Sequence, residues 1–406
     1  MTTPAPQLDS AIQLLKELVE MDSGTSNITG VNQVIERVAR ELSFLGMSCQ
    51  LLDNPKGAHL SGQLLIATYE PATAPTKKKT FVDLVTHADT VFETASGFTG
   101  FVLDQAQGIA KGPGVIDDKG GIVVAIAALR EILPKWHAAK TGIPVRLICT
   151  PSEETGSPGF HEVLKKLGES SRLALGLEPA MDDGSLIGSR RGNRWYCVHV
   201  QGEEAHVGRN AHQGINAAHE LAHKITEFAR LDDRTRGITV STGAISGGDK
   251  FNIVCGKAEA KVDVRFEDFK SRDATHAAIE KIIAQPHLTA NDSGKLPSAR
   301  FEIADDCPPV PPADGEVLKI QTLLLKHYGE SLKLLEGTAP RTEHSGGAAD
   351  VNYMSRPGLV ILDGLGPVGG GMHRTDEWIR LESLKTRSLA LAALLDEVAS
   401  SGHAYL

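Results

Sequence analysis

Apolar residues recur at helical spacing over residues 8–21 and 31–45, and the second run stops at Gly46. The pattern then shifts to short apolar runs bounded by turn residues. Residues 63–69, 81–86, 145–150 and 173–177 read as strands, and the long apolar stretch 121–133 as a buried helix. Strands alternating with helices predict an α/β layer on a mixed, largely parallel sheet. From about Gly192 the texture changes. Residues 195–200 alternate, 216–230 form an amphipathic helix, and 238–245 and 258–266 are strand-like. A second helix over 274–283 and a strand near 300–303 follow.

This β-α-β-β-α-β order predicts an inserted ferredoxin-like α+β module. The proline-rich segment 307–312 closes it, and a strand over 358–362 returns to the first layer. The expected organisation is a discontinuous catalytic domain, 1–190 and 307–406, with an inserted lid over 191–306.

Composition narrows the function. With 406 residues, 41% of them hydrophobic and 23% charged, the chain is long enough for two cores. A net charge of -9 argues against nucleic acid and against an anionic membrane surface. The basic run Lys77-Lys78-Lys79 sits in a Pro/Thr-rich loop and reads as a solvated segment. The 5 cysteines are odd in number and never spaced as C-x-x-C, so neither a disulfide framework nor a thiolate zinc site is expected. The first twenty residues lack a basic start and an apolar run, and nothing later is long enough to span a bilayer. A soluble, cytoplasmic protein is expected.

The chemistry lies at the ends of the apolar runs. His87 and Asp89 (VTHADT), Asp117 and Asp118 (GPGVIDDKGG), Glu153 and Glu154 (TPSEETGS), Glu178 (LGLEPA) and His373 (GGMHRTDE) are oxygen and imidazole ligands. His87, Glu153 and Glu178 each follow a strand, where open α/β sheets place their sites. A lone H-x-D is usually a turn and a lone E-E pair a solvated surface. Jointly these patches can hold two divalent ions and leave a carboxylate over as a base, the equipment for hydrolysis at neutral pH.

In this order the motifs resemble the co-catalytic zinc peptidase family of glutamate carboxypeptidase, aminoacylase and succinyl-diaminopimelate desuccinylase. GPGVIDDKGG and SGGAAD are nearest the glutamate carboxypeptidase branch. The resemblance implies that His87, Asp117 and Glu178 hold one zinc, and that Asp117, Glu154 and His373 hold the other. It makes Glu153 the general base and Asp89 the partner that orients His87. It also implies that His206 (EEAHVG) assists the oxyanion, that Asn252 (DKFNIV) and Arg265 (VDVRF) bind substrate, and that the inserted module forms a homodimer. Cobalt or manganese would suit the same ligands. The implied reaction cleaves an amide beside a free carboxylate in a small N-acyl or peptidyl substrate, releasing a C-terminal residue such as glutamate. Deacylation of N-acyl amino acids is the alternative, and a non-catalytic metal-binding homologue is the alternative of another class. Two departures, Arg190-Arg191 at the module's entry and Asp305-Asp306-Cys307 at its exit, suggest a rearranged carboxylate recognition.

Two further matches read as coincidence. His219-Glu220-Leu221-Ala222-His223 fits H-E-x-x-H, but the apolar stripe of that helix (Ala218, Leu221, Ala222, Ile225, Phe228) leaves both histidines on the flank. Residues 364–369 fit G-x-G-x-x-G with no apolar helix behind them.

Overall fold

The computed structural model describes residues 5–72, 79–289, 291–401 and 405, so Lys77 and Lys78 of the basic run lie outside the described residues. Lys79 pairs with Glu70. The chain forms two compact units. One comprises 1–189, 312–345 and 349–406, and the other comprises 190–311 with 346–348.

The first unit is built on a 6-stranded sheet. Its strands run Ser48–Leu52, Leu64–Tyr69, Val145–Thr150, Phe81–His87, Ser171–Gly176 and Val360–Leu362 across the sheet. The last four are mutually parallel, and the first two join antiparallel at one edge. Val145–Thr150 is buried along its whole length, as a strand covered on both faces must be. Helices Ala5–Glu20, Lys119–Ala139, Gly315–Glu336 and Leu381–Ser400 supply the apolar cover, and Leu15, Leu129, Leu147, Leu324 and Leu391 meet in one core. Pro134 lies within the Lys119–Ala139 helix. A small 4-stranded sheet (Val102–Asp104, Ile109–Lys111, Trp378–Arg380, Gly369–Gly370) brings two distant loops together. It has no counterpart in the sequence reading, because runs of two or three residues carry no readable period.

The second unit has strand–helix order Gly192–Gln201, Ala217–Ala229, Thr239–Gly247, Lys257–Phe266, Phe269–Ala284, Ser298–Cys307. Its 4-stranded sheet is antiparallel, in the order second, third, first, fourth strand. One face alternates cleanly into the core, with Tyr196, Val198 and Val200 packing beside Val262, Val264 and Phe266 against Leu221, Phe228 and Ile279. The Ala217–Ala229 helix departs from the expected stripe. Ala222 is exposed, while Glu220 and Lys224 are buried as a pair 3.1 Å apart. Lys224 donates to the carbonyls of Ile282, Ile283 and Gln285, and Glu220 accepts from the amides of His287 and Leu288. The pair thus satisfies the orphan backbone groups where the Phe269–Ala284 helix ends.

Candidate metal centre

Three parallel strands point their carboxyl ends the same way, and each delivers acidic or imidazole groups there. His87 ends its strand, Glu153 and Glu154 form the turn after Val145–Thr150, and Glu178 follows Ser171–Gly176. Asp117 comes from the glycine-rich loop ahead of the Lys119–Ala139 helix, across a cis bond to Asp118. His373 comes from the turn between the two short strands Gly369–Gly370 and Trp378–Arg380, with φ 62°.

The two oxygens of Asp117 face two different rings. Oδ1 lies 3.0 Å from His87 Nε2, and Oδ2 lies 3.3 Å from His373 Nε2. A second carboxylate approaches the same nitrogen of each ring: Glu178 is 3.8 Å from His87 Nε2, and Glu154 is 3.3 Å from His373 Nε2. Ligand atoms of His87, Asp117 and Glu154 lie within 4.8 Å of one another, and so do those of His87, Glu153 and Glu178. Distance alone therefore groups Glu153 with the ligands. What sets it apart is that its side chain makes no ion pair among the described residues, whereas Asp117, Glu154 and Glu178 each face an imidazole.

Asp89 orders this end of the sheet. The His87 Nδ1 donates to the Asp89 carbonyl (3.1 Å) and carboxylate (3.2 Å). A carbonyl can only accept, so Nδ1 carries the proton and Nε2 is presented toward the carboxylates. The same Asp89 carboxylate accepts from the backbone amides of Glu153 (3.0 Å) and Glu154 (3.3 Å) and from the Thr25 hydroxyl (2.7 Å). One side chain therefore orients a ring and the turn that carries both glutamates.

Electrostatics mark the site as short of positive charge. Burial, then Glu178, pushes the Glu153 carboxyl well above its usual range, and burial with Glu178 does the same to Asp118. Burial works to raise Asp117 as well, but the two imidazoles facing it hold it down. His373 is pushed up to about 10 by its hydrogen bonds to Asp117 and Glu154. The donors are carboxylate oxygens and imidazole nitrogens, two rings against several acids. That set fits a pair of divalent cations of the zinc, cobalt or manganese type.

The model of a peptidase dimerisation domain, named for the M20 family, matches residues 188–290. A solved dinuclear metal-binding peptidase of the M20 family from Bacillus subtilis superposes with TM-score 0.64 at 17% identity, covering 98% of this chain and 100% of that one. Carboxypeptidase G2 from Pseudomonas sp. (strain RS-16) is 24% identical over 390 residues, covering 95% of this chain and 88% of that protein. Succinyl-diaminopimelate desuccinylase from Gluconacetobacter diazotrophicus is 24% identical over 414 residues, covering 97% and 98%. Residues 188–290 match the dimerisation domain of the M20 peptidases, and the chain is similar over nearly its whole length to members of that family. It carries the α/β fold of that family, with the dimerisation domain inserted, and its relatives are metallopeptidases and amidohydrolases.

The residues that the M20 resemblance places in the inserted module stand in the second unit. His206 and Asn252 are neighbours there. The Val207 amide donates to the Asn252 carbonyl (2.9 Å), and His206 bridges to Ile253. Arg265 lies on the sheet face away from the helices, where its Nε donates to Asp263 (2.9 Å). The charged departures pair with other residues of the same unit: Arg191 with Glu267 at 3.1 Å, and Asp306 with Arg194, which forks onto it at 2.8 and 2.7 Å. Within this unit they read as structural pairs. His219 and His223 are exposed, and His223 stacks on His287. Neither joins a metal-ligand group among the described residues.

Several groups that shape the site were not read from the sequence. Thr86 donates to Asp118. Glu377 accepts three amides of the Asp117 loop. The Gly366 amide donates to the Glu178 carbonyl (3.0 Å), and a Cβ on Gly366 would stand 2.1 Å from the Leu177 carbonyl and 2.6 Å from that of Glu178. That close approach is the use of the G-x-G-x-x-G run. A carboxylate that acts on backbone, and a glycine that acts by lacking a side chain, leave no spacing signature. No helix of the described residues is long and apolar enough to cross a membrane.

Proposed function

We propose that this chain is a di-metal hydrolase that cleaves an amide next to a free carboxylate, releasing a C-terminal residue from small N-acyl or peptidyl substrates. The observation that carries the reading is Asp117, whose two oxygens face the two imidazoles with one further carboxylate near each. His87, Asp117 and Glu178 would hold one ion, and Asp117, Glu154 and His373 the other, zinc being the metal we assign. Bound there, divalent ions polarise the scissile carbonyl and make water a nucleophile at neutral pH. Asp89 keeps the proton on His87 Nδ1 and so fixes the ring. Glu153, half-buried and in no ion pair with either ring, takes the proton from the attacking water and passes it to the leaving amine. His206 is assigned to the developing oxyanion, and Asn252 and Arg265 to the substrate carboxylate. The similarity to carboxypeptidase G2 supports this carboxypeptidase reading. Repeated similarity to desuccinylases supports a second, removal of the acyl group from an N-acyl amino acid. A hydrolysis panel on zinc-loaded protein separates them, varying the acyl group and the C-terminal residue independently. Turnover that tracks the released C-terminal residue supports the first, and turnover that tracks the acyl group supports the second. No hydrolysis of any member would remove both.

A further inference from the structure

The Asp117 loop is held by a carboxylate that does not itself face the cluster. Glu377 is wholly buried, and both its oxygens are committed to backbone. Oε2 accepts from the Gly114 amide (3.1 Å), while Oε1 accepts from Ile116 (2.8 Å) and Asp117 (3.2 Å). Glu377 stands four residues after His373 in the same turn, which the Glu377 amide closes by donating to the Arg374 carbonyl (3.1 Å). Immediately beyond, Trp378 pairs with Lys111, the residue that leads into the glycine loop. The ladder sets the roots of the two loops side by side, and the carboxylate ties them.

We infer that Glu377 is a positioning residue for the metal centre, fixing the Asp117 backbone so that its two oxygens face the His87 and His373 rings at once. The chemistry requires a carboxylate. Three converging N–H groups need two acceptor oxygens, and a carboxamide would turn its own NH₂ against one of them. An amide donor left unmatched in a buried site costs free energy that only a shift of the loop can relieve. Because Asp117 faces both rings, such a shift would loosen both sites together, whereas losing Glu178 or Glu154 would loosen one.

This rests on the di-metal reading above, so the test reports on each separately. Zinc content of the full-length protein is followed against rising chelator for the native chain, for Glu377→Gln and for Leu391→Ala. The last opens a cavity in the same core without touching the loops. A native chain that binds no zinc overturns the di-metal reading. If the native chain holds two equivalents, Glu377→Gln is expected to release both at about 10–100-fold lower chelator, the range for partners that orient metal ligands. Leu391→Ala should melt earlier yet hold zinc like the native chain. Equal retention by Glu377→Gln and the native chain overturns the inference, as does equal loss in both variants, which would make the effect one of general stability. Should Glu377→Gln not fold, hydrogen exchange on the native chain decides. The amides of Gly114, Ile116 and Asp117 should stay protected after the metal is removed, because Glu377 and not the ion holds them. Rapid exchange of all three in the stripped protein overturns the inference.

Discussion

Glu153 and Glu154 are chemically identical neighbours, and their backbone amides both donate to Asp89, yet only Glu154 meets a ring. Substituting each by glutamine should therefore separate two roles. Glu153→Gln is expected to keep its zinc and lower kcat by about 10²–10⁴-fold, whereas Glu154→Gln should bind less zinc in elemental analysis. Full metal with near-native turnover in Glu153→Gln would take the base role away from it. Arg265→Ala is expected to raise KM for substrates with a free carboxylate while leaving kcat nearly unchanged. A KM equal to the native value would leave Arg265 only its pairing with Asp263. At this scale the candidate ligands could be proposed because H-x-D, D-D and E-E are short motifs of distinctive chemistry. Thr25, Thr86 and Glu377 could not, since a hydroxyl or carboxylate serving another residue's backbone looks like any other polar position.

Elements explain what the motif matches could not. The H-E-x-x-H run lies on the Ala217–Ala229 helix, and its glutamate is the buried member. Burial alone would raise the Glu220 carboxyl, but the Leu288 amide, the Lys224 ammonium and the His287 amide together hold it below its ordinary range. A depressed carboxyl contributes stability that is present above its unfolded pKa and lost as pH falls through its folded one. Thermal stability should thus fall below about pH 4.5, and Glu220→Gln should flatten that acid limb. The substitution should also cost about 3 kcal/mol at neutral pH, since it leaves Lys224 buried without its counter-charge. The paired change Glu220→Gln with Lys224→Met should cost less than the single one. Replacing His219 and His223 together by alanine should leave zinc content unaltered; loss of zinc there, with His87→Ala retaining it, would relocate the centre. The stripe expected for this helix counted Ala222 as core and did not include Lys224, yet Ala222 is exposed and Lys224 buried. Hydrophobic period sees side-chain polarity, not the carbonyls that a lysine can reach at the end of a neighbouring helix. The edge strand Ser48–Leu52 escaped for the converse reason, as it is nowhere fully buried.

At the scale of the whole molecule, the match of residues 188–290 to a dimerisation domain makes a homodimer the expected assembly. If His206 serves the neighbouring chain's site, mixing inactive Glu153→Gln with inactive His206→Ala protein should restore part of the activity once subunits exchange. No recovery despite proven exchange would confine His206 to its own chain. The order of the longer strands and of the helices of the second unit was legible because each is a run of ordinary length with a clear period. Where the chain passes from one unit to the other was less so, because residues 346–348 group with the second unit without any change of texture. At the main crossing, Arg190 and Val310 exchange both backbone hydrogen bonds, at 2.9 and 3.0 Å. Such a pair sets its two Cα atoms about 5.5 Å apart. The segment 190–310 therefore begins and ends side by side, which is the geometry of an inserted cassette. A gene could lose, lengthen or exchange that cassette without asking the remaining residues to span a gap. The segment matched to the dimerisation domain can on that account vary on a timescale of its own, while the framework that carries the candidate ligands keeps its thread unbroken.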